Sequence, residues 1–198
     1  KKETIFVIEA SSYQLDYSKI FTSKYAVILN ISPDHLERHK TLNNYILAKF
    51  NLLKNQKKGS IAFINKNDHF SINQIKKFNY KSKIVKVDTD FNNKLLIELK
   101  NEYFLSSSNK ENLSFIFEIA KKMKINKKNI LHIIKKFKGL KYRQQKIYRN
   151  KNVLIINDSK STSYSSSIEM LKGKNSIYWL IGGIPKKGDK FKLAKKYH

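Results

Sequence analysis

Cysteine is absent from the 198 residues, which excludes a disulfide framework and any thiolate-ligated zinc site in this chain. Metal chemistry, if present, must use His, Asp, Glu or a modified Lys. Arginine is scarce: of 41 basic residues only Arg38, Arg143 and Arg149 carry the guanidinium fork. Long apolar runs are missing too. No stretch approaches the roughly eighteen consecutive apolar residues that a membrane-spanning helix needs. The first short run, TIFVIEA, is broken at Glu9 and does not read as a signal peptide. The chain is therefore expected to be soluble and intracellular, with no membrane partner.

Against 41 basic residues stand only 15 acidic ones, a formal charge of +26. Such a charge invites a nucleic-acid reading, because lysines near phosphates release counterions. The scarcity of arginine argues against it, since base reading and phosphate clamping lean on the bidentate Arg fork. The lysines are also spread through every segment beside abundant Asn, Ile, Phe and Tyr, a bias consistent with an AT-rich genome. Solvated lysine faces are the expectation, with no specific nucleic-acid partner. The 40% hydrophobic and 12% aromatic content is enough for a core.

Strand-length apolar runs recur at Thr4–Glu9, Tyr25–Ile31, Ser60–Ile64 and Lys83–Val87, with helical patterns between some of them, which predicts an α/β fold. Thr41 opens a helix in which Leu42, Tyr45, Ile46, Lys49 and Leu53 share one face, so a lysine lies in an apolar stripe. A snorkelling side chain is the simple account of it. KLLIELKNEYFL suggests a hairpin turning near Lys100. Helices are then expected over Asn109–Lys124 and after Asn126, the second closed by Gly139. GLKYRQQKIYRNKN reads as a polar connector. VLIIND, SYSSSIEMLKG and IYWLIGG read as a new βαβ unit whose ligand end would lie at Asn157–Lys160 and Gly182–Gly183. A domain boundary is placed at Gly139, giving domains 1–139 and 140–198. The opening strand without an initiator Met, and a last helix cut short, lead us to expect a piece of a longer protein.

Within NISPDHLERHK, His35 and His39 are four apart and would share a helix face as in zinc proteases. Leu36, however, holds the place where HExxH has glutamate. A polar strand-to-helix loop capped by Ser32 and Asp34 is the plainer account.

Five segments in order, IEASSYQL, NISPDHLERH, LAKFNL, GLKYR and NDSKSTS, followed by IGG and a Lys-Lys-Gly-Asp turn, together resemble the Mur ligases, the ATP-dependent amide-forming enzymes of peptidoglycan synthesis. SSYQL and NDSKST are most similar to the D-glutamate-adding branch. The resemblance covers nearly the whole chain, to about Phe191. It implies a Mur-type central ATPase domain, mostly a parallel sheet with helices, followed by the start of a Rossmann-like C-terminal domain. It also implies ATP and magnesium as cofactors, UDP-N-acetylmuramoyl-L-alanine and D-glutamate as substrates, a monomer and a bacterial cytoplasmic location. The residues so implied are Glu9 and His35 as magnesium ligands and Lys49 as a lysine that becomes carbamylated, His35 and Lys49 being the catalytic pair. Ser11 and Gln14 would line the nucleotide sugar, and Asn109, Asn112, Arg143 and Asp158 would hold ATP. Lys160, Thr162 and Lys187, or its neighbour Lys186, would take the D-glutamate carboxylates. His39 and Glu37 are then only the lead-in to the next helix. The sequence departs from the family pattern at Ser108, Tyr142 and Ser163, in one additional residue in the loop after Gly183, and in lacking a GxxGK[ST] phosphate loop. The isolated chain is accordingly expected to be inactive. A folylpolyglutamate synthetase or a diaminopimelate- or lysine-adding ligase is the alternative within the superfamily. Outside it stand a nucleic-acid-binding protein and a zinc hydrolase.

Overall fold

The structure is a computed structural model and describes residues 4–90, 99–172 and 175–184. The chain divides into two compact units, Lys1–Phe91 with Glu111–Asn126, and Asn92–Lys110 with Lys127–His198. The division falls at other points than the boundary placed at Gly139, because the helix after the first sheet returns to cover that sheet.

In the first unit, α1 (Ser12–Tyr17) is followed by β1 (Tyr25–Ile28), α2 (Leu36–His39), α3 (Leu42–Lys54), β2 (Ile61–Asn65), α4 (His69–Lys77) and β3 (Lys83–Val87). The strands are parallel in the order β1-β2-β3, with Tyr25 opposite Ile61 and Ile61 opposite Lys83. Parallel neighbours need a crossover, and α3 and α4 supply it. Side chains alternate across the pleat. Ala26, Ile28, Ala62 and Ile64 join Tyr45, Ile46, Phe50 and Leu53 of α3 on one face. Phe63 and Val87 meet Phe115 on the other, with Val27, Val85 and Ile119 packed around them. Ala62, Phe63 and Ile64 are wholly buried, as expected of a parallel strand covered on both faces.

Further along the chain lie a 3₁₀ turn (Glu102–Leu105), α5 (Ser107–Lys122), α6 (Lys127–Lys136), β4 (Gln145–Arg149), β5 (Leu154–Asn157) and α7 (Tyr164–Leu171). α5 runs across the division between the units. In the second unit β4 and β5 pair antiparallel, Gln145 opposite Asn157. Asn101 donates from Nδ2 to the carbonyls of Ile134 (2.7 Å) and Phe137 (2.8 Å), satisfying the end of α6. Gly139 then turns at φ +83°, where an added Cβ would lie 2.7 Å from the Tyr103 ring. Glu102 bonds Lys146 and, at 3.1 Å, Arg149, tying the 3₁₀ turn to β4.

Four sequence expectations are corrected. Thr4–Glu9 forms no strand: Ile5, Phe6, Val7 and Ile8 are exposed, and no neighbour strand among the described residues pairs with them. The same holds for IYWLIGG, where Tyr178 and Leu180 are 98% exposed, so the expected βαβ unit is not formed. Apolar composition marks a segment that can pair; pairing itself needs a partner backbone. The polar connector contains β4, in which Lys146, Ile147, Tyr148 and Arg149 are all exposed and which is held as a strand by its backbone pairing with β5. The hairpin over Lys94–Leu105 falls partly outside the described residues, and Glu102–Leu105 is 3₁₀ helix capped by Asn101, which accepts the Tyr103 N–H at 3.0 Å.

Candidate functional site

Three local structures carry the first-unit candidates. α1 starts with a reciprocal cap: Ser11 Oγ accepts the Gln14 N–H at 3.2 Å, and the Ser11 N–H donates to Gln14 Oε1 at 2.8 Å. Both residues implied to line a nucleotide sugar thus also build the start of this helix. Its far end is held by α3, where Asn51 and Asn55 donate from Nδ2 to the carbonyls of Leu15 (3.2 Å) and Ser18 (3.0 Å). The short α1 is therefore placed by side chains two and three turns along α3 rather than by its own length.

His35 begins α2 in a left-handed conformation, φ 55° and ψ 31°. Neither Ser32 nor Asp34 caps that helix as expected; Asp34 Oδ1 instead accepts the backbone N–H of His35 itself at 2.9 Å. The ring is about one-third exposed and meets three polar groups: Tyr13 Oη at 3.2 Å and Glu37 Oε1 at 3.5 Å from Nδ1, and Asp34 Oδ2 at 3.4 Å from Nε2. A left-handed non-glycine residue costs of order 1 kcal/mol or more. The neighbouring bonds hold it there.

His39 has a different place from the one read in the sequence. It is 5% exposed, its Nε2 lies 3.0 Å from Ser12 Oγ, and its ring meets Tyr45 edge-on at 5.5 Å. It is a core histidine joining α2 to α1 and α3, not a loop lead-in and not a second ligand beside His35. A lone polar residue in a polar stretch carries no periodicity that would have revealed this burial.

Lys49 lies on the stripe of α3 expected from the spacing, between buried Tyr45 and Leu53, with Nζ 5.1 Å from the Tyr45 ring centre. Burial lowers its pKa below the usual lysine value, opposed by the nearby charges of Asp34 and Asp68. Desolvation thus favours the neutral amine, the form that can react with carbon dioxide. Glu9 is exposed in the irregular segment before α1. Among the described residues no three His, Asp or Glu side chains gather to hold a metal. The unmodified set therefore does not fit magnesium; a carbamate on Lys49 would add the anionic oxygens that hard cations require.

The nucleotide candidates fare unevenly. Asn109 is 6% exposed and donates to the Tyr103 carbonyl at 2.8 Å, joining α5 to the 3₁₀ turn. Asn112, one turn on, is partly exposed. Arg143 is exposed between two left-handed residues, Tyr142 (φ 64°) and Gln144 (φ 46°). The Asp158 carboxylate accepts the Gln144 N–H at 2.9 Å and the Ser161 hydroxyl at 2.6 Å, and the Lys160 N–H donates to the Tyr142 carbonyl at 3.0 Å. Asp158 thus binds the Arg143 loop to the SKST turn, bringing Arg143, Asp158 and Lys160 together in the second unit. Thr162 is exposed beside Ser163, whose Oγ accepts the Ser166 N–H at 3.2 Å at the start of α7. Lys186 and Lys187 lie outside the described residues.

A three-stranded parallel sheet flanked by helices, with a desolvated lysine on the first crossover, defines an α/β domain with a polar cluster on the loops after its strands. The sequence profile of the Mur ligase middle domain matches residues 1–135, and the chain belongs to that family. Among its curated relatives are the UDP-N-acetylmuramoylalanine--D-glutamate ligases of Rickettsia felis (36% identity, 92% of this chain and 44% of the relative), Rickettsia prowazekii (37%, 92% and 45%) and Buchnera aphidicola (34%, 100% and 48%). The chain spans less than half the length of these relatives.

Proposed function

We propose that this chain supplies the middle-domain portion and the following segment of an ATP-dependent ligase that adds D-glutamate to UDP-N-acetylmuramoyl-L-alanine in peptidoglycan synthesis. The observation that carries this reading is the desolvated Lys49 on α3, in a chain similar over at least 92% of its length to ligases named for that reaction. A carboxylate oxygen of the UDP-sugar substrate attacks the terminal phosphorus of ATP, and ADP leaves. The D-glutamate amine then attacks the acyl phosphate carbon; the tetrahedral intermediate expels phosphate and the nitrogen loses its proton.

In this proposal Lys49, once carbamylated, would complete a magnesium set with Glu9 and His35. Bound there, the ion would neutralise crowded phosphate oxygens. Ser11 and Gln14 contact the sugar nucleotide, Asn109 and Asn112 lie near the adenine, and Arg143 and Asp158 near the phosphates and ribose. Lys160 and Thr162, with Lys187, suit the two carboxylates of D-glutamate through charge and hydroxyl donation. For Asp158, whose oxygens accept two internal bonds, the role includes setting the direction of Arg143. We further propose a cytoplasmic, monomeric enzyme with no specific nucleic-acid partner; among the described residues no helix is long and apolar enough to cross a membrane.

A phosphate-release assay on the full-length gene product tests the reading. Turnover should require the UDP-sugar and D-glutamate together and fail with L-lysine, meso-diaminopimelate or a folate substrate. Equal turnover with one of those would move the assignment to another ligase branch. The 198-residue chain alone should release no phosphate.

A further inference from the structure

We infer that Tyr103 is a positioning residue for the nucleotide: its ring seats Gly139 and so fixes where the Arg143 loop begins, while its carbonyl holds the Asn109 side chain. The loop has little packing of its own. Lys138, Leu140, Lys141, Tyr142 and Arg143 are all exposed, Leu140 at 54% and Tyr142 at 50%. Within it the Arg143 N–H donates to the Leu140 carbonyl at 3.3 Å, a lone turn. Where such a segment lies depends on what holds its two ends. The far end is held by Asp158, which accepts the Gln144 N–H at 2.9 Å, and by the Lys160 N–H on the Tyr142 carbonyl at 3.0 Å. The near end is Gly139, and what it meets is the Tyr103 ring: a Cβ added there would lie 2.7 Å from both Cδ2 and Cε2. Backbone comes this close to a ring only where the residue has no side chain.

The ring is itself fixed. It meets Phe104 and Phe137 edge-on, each at 5.2 Å between centres, an arrangement that aromatic pairs favour. The Tyr103 N–H donates to Asn101 Oδ1 at 3.0 Å, and Asn101 Nδ2 bonds the Phe137 carbonyl, two residues before Gly139, at 2.8 Å. On its other side the Tyr103 carbonyl accepts Asn109 Nδ2 at 2.8 Å. A carbonyl can only accept, so this bond sets the Asn109 amide with Nδ2 toward Tyr103 and Oδ1 away from it. One residue thus governs both a side chain at the start of α5 and a loop far along the chain. The charges of Arg143 and Asp158 both act on the Tyr103 hydroxyl, the first lowering and the second raising a pKa that burial has pushed up. All of these groups belong to the second unit. The role in nucleotide binding rests on the function proposed above for Asn109 and Arg143; the contact of Tyr103 with Gly139 does not.

ATP binding to the full-length gene product by calorimetry, followed by steady-state turnover, tests the role. Tyr103→Leu should weaken ATP binding and raise the KM for ATP about tenfold, with the KM for the UDP-sugar changed by less than about twofold. The residues implied for that sugar, Ser11 and Gln14, lie in the first unit. Tyr103→Phe keeps the ring and should bind ATP as the unsubstituted protein does. A Tyr103 that only stabilises the fold would instead change every kinetic constant together with the melting temperature. Unchanged ATP affinity in Tyr103→Leu, a loss spread evenly over all substrates, or a Tyr103→Phe variant as weak as Tyr103→Leu overturns the proposal. If Tyr103→Leu does not fold, Tyr103→Met, which fills the space with a flexible chain, decides on the same constants. An unsubstituted protein that binds no ATP overturns this proposal and the function alike. One that binds ATP, responds to Tyr103→Leu as expected and turns over no D-glutamate overturns the function alone.

Discussion

At the scale of single residues, Lys49 shows how placement changes chemistry without changing composition. The same side chain on a solvated face is ordinary in a chain this rich in lysine; next to Tyr45 it loses water and its pKa falls. A lysine whose folded pKa lies below its unfolded value destabilises the fold at neutral pH, and that loss fades as pH rises toward the usual lysine range near 10.4. Lys49→Met should therefore raise the midpoint of urea unfolding at neutral pH, with the gain shrinking as pH rises between the depressed and the ordinary value. A variant no more stable at pH 7 would contradict the desolvation argument. Carbamylation has its own readout: with 13C-bicarbonate, a carbamate carbon resonance should be present in the unsubstituted chain and absent in Lys49→Arg. Gly139 illustrates a steric requirement. Its positive φ and the Tyr103 ring 2.7 Å from any Cβ mean that Gly139→Ala should destabilise by more than about 1 kcal/mol, measurable in chemical denaturation.

At the scale of elements, caps and strand burial dominate. Thr41 Oγ1 accepts the Asn44 N–H at 3.1 Å at the start of α3, the helix that presents Lys49. Thr41→Ala should cost about 1 kcal/mol, while Thr41→Ser should restore most of it. Phe63 sits at 0% exposure in the middle of the central strand. Phe63→Ala should cost about 3–5 kcal/mol through lost transfer energy and the cavity left behind. The Glu102 link between the 3₁₀ turn and β4 is pH-sensitive in a definite direction. Hydrogen bonds from Lys146 and then Arg149 hold its carboxyl below the ordinary value. Stabilisation from this pair is present above the unfolded carboxylate pKa and is lost as pH falls through the folded one. Both partners are largely solvated, so the contribution is small. Glu102→Gln should lower stability slightly from neutrality through mild acid and leave it nearly unchanged only in stronger acid, below the folded carboxylate pKa, as followed by thermal melts across that range.

At the scale of the whole molecule, the +26 charge acts on the entire chain. Like charges repel in the compact state, and salt screens them over about 10 Å at 0.1 M. The melting temperature should rise as salt is added from low ionic strength. Binding to random-sequence DNA should be weak and fall steeply over the same range; affinity tighter than micromolar at physiological salt would revive the nucleic-acid reading. The two units also bear on how domain boundaries are read from sequence. A change of texture near Gly139 is visible along the chain. The return of Phe115 and Ile119 to the first sheet is a contact between segments far apart in sequence, and no local pattern encodes it.

Pattern along the chain is enough for the α/β class, for β3 as an apolar run, and for β1 and β2 to within a few residues. It also determined Thr41 as the start of α3 and the apolar stripe holding Lys49. These depend on side-chain period and capping, which are local. The ordered motifs sufficed to place the chain in its family. It took the tertiary structure to show that residues 5–8 and 177–183 form no strand among the described residues, because a strand needs a second backbone beside it. It also decided that His39 is buried on Ser12, that Asn109 serves the 3₁₀ turn, and that Tyr13 reaches His35. Each is a meeting of groups brought together by packing, and hydrogen bonds between distant segments leave no spacing in the chain from which they could be read.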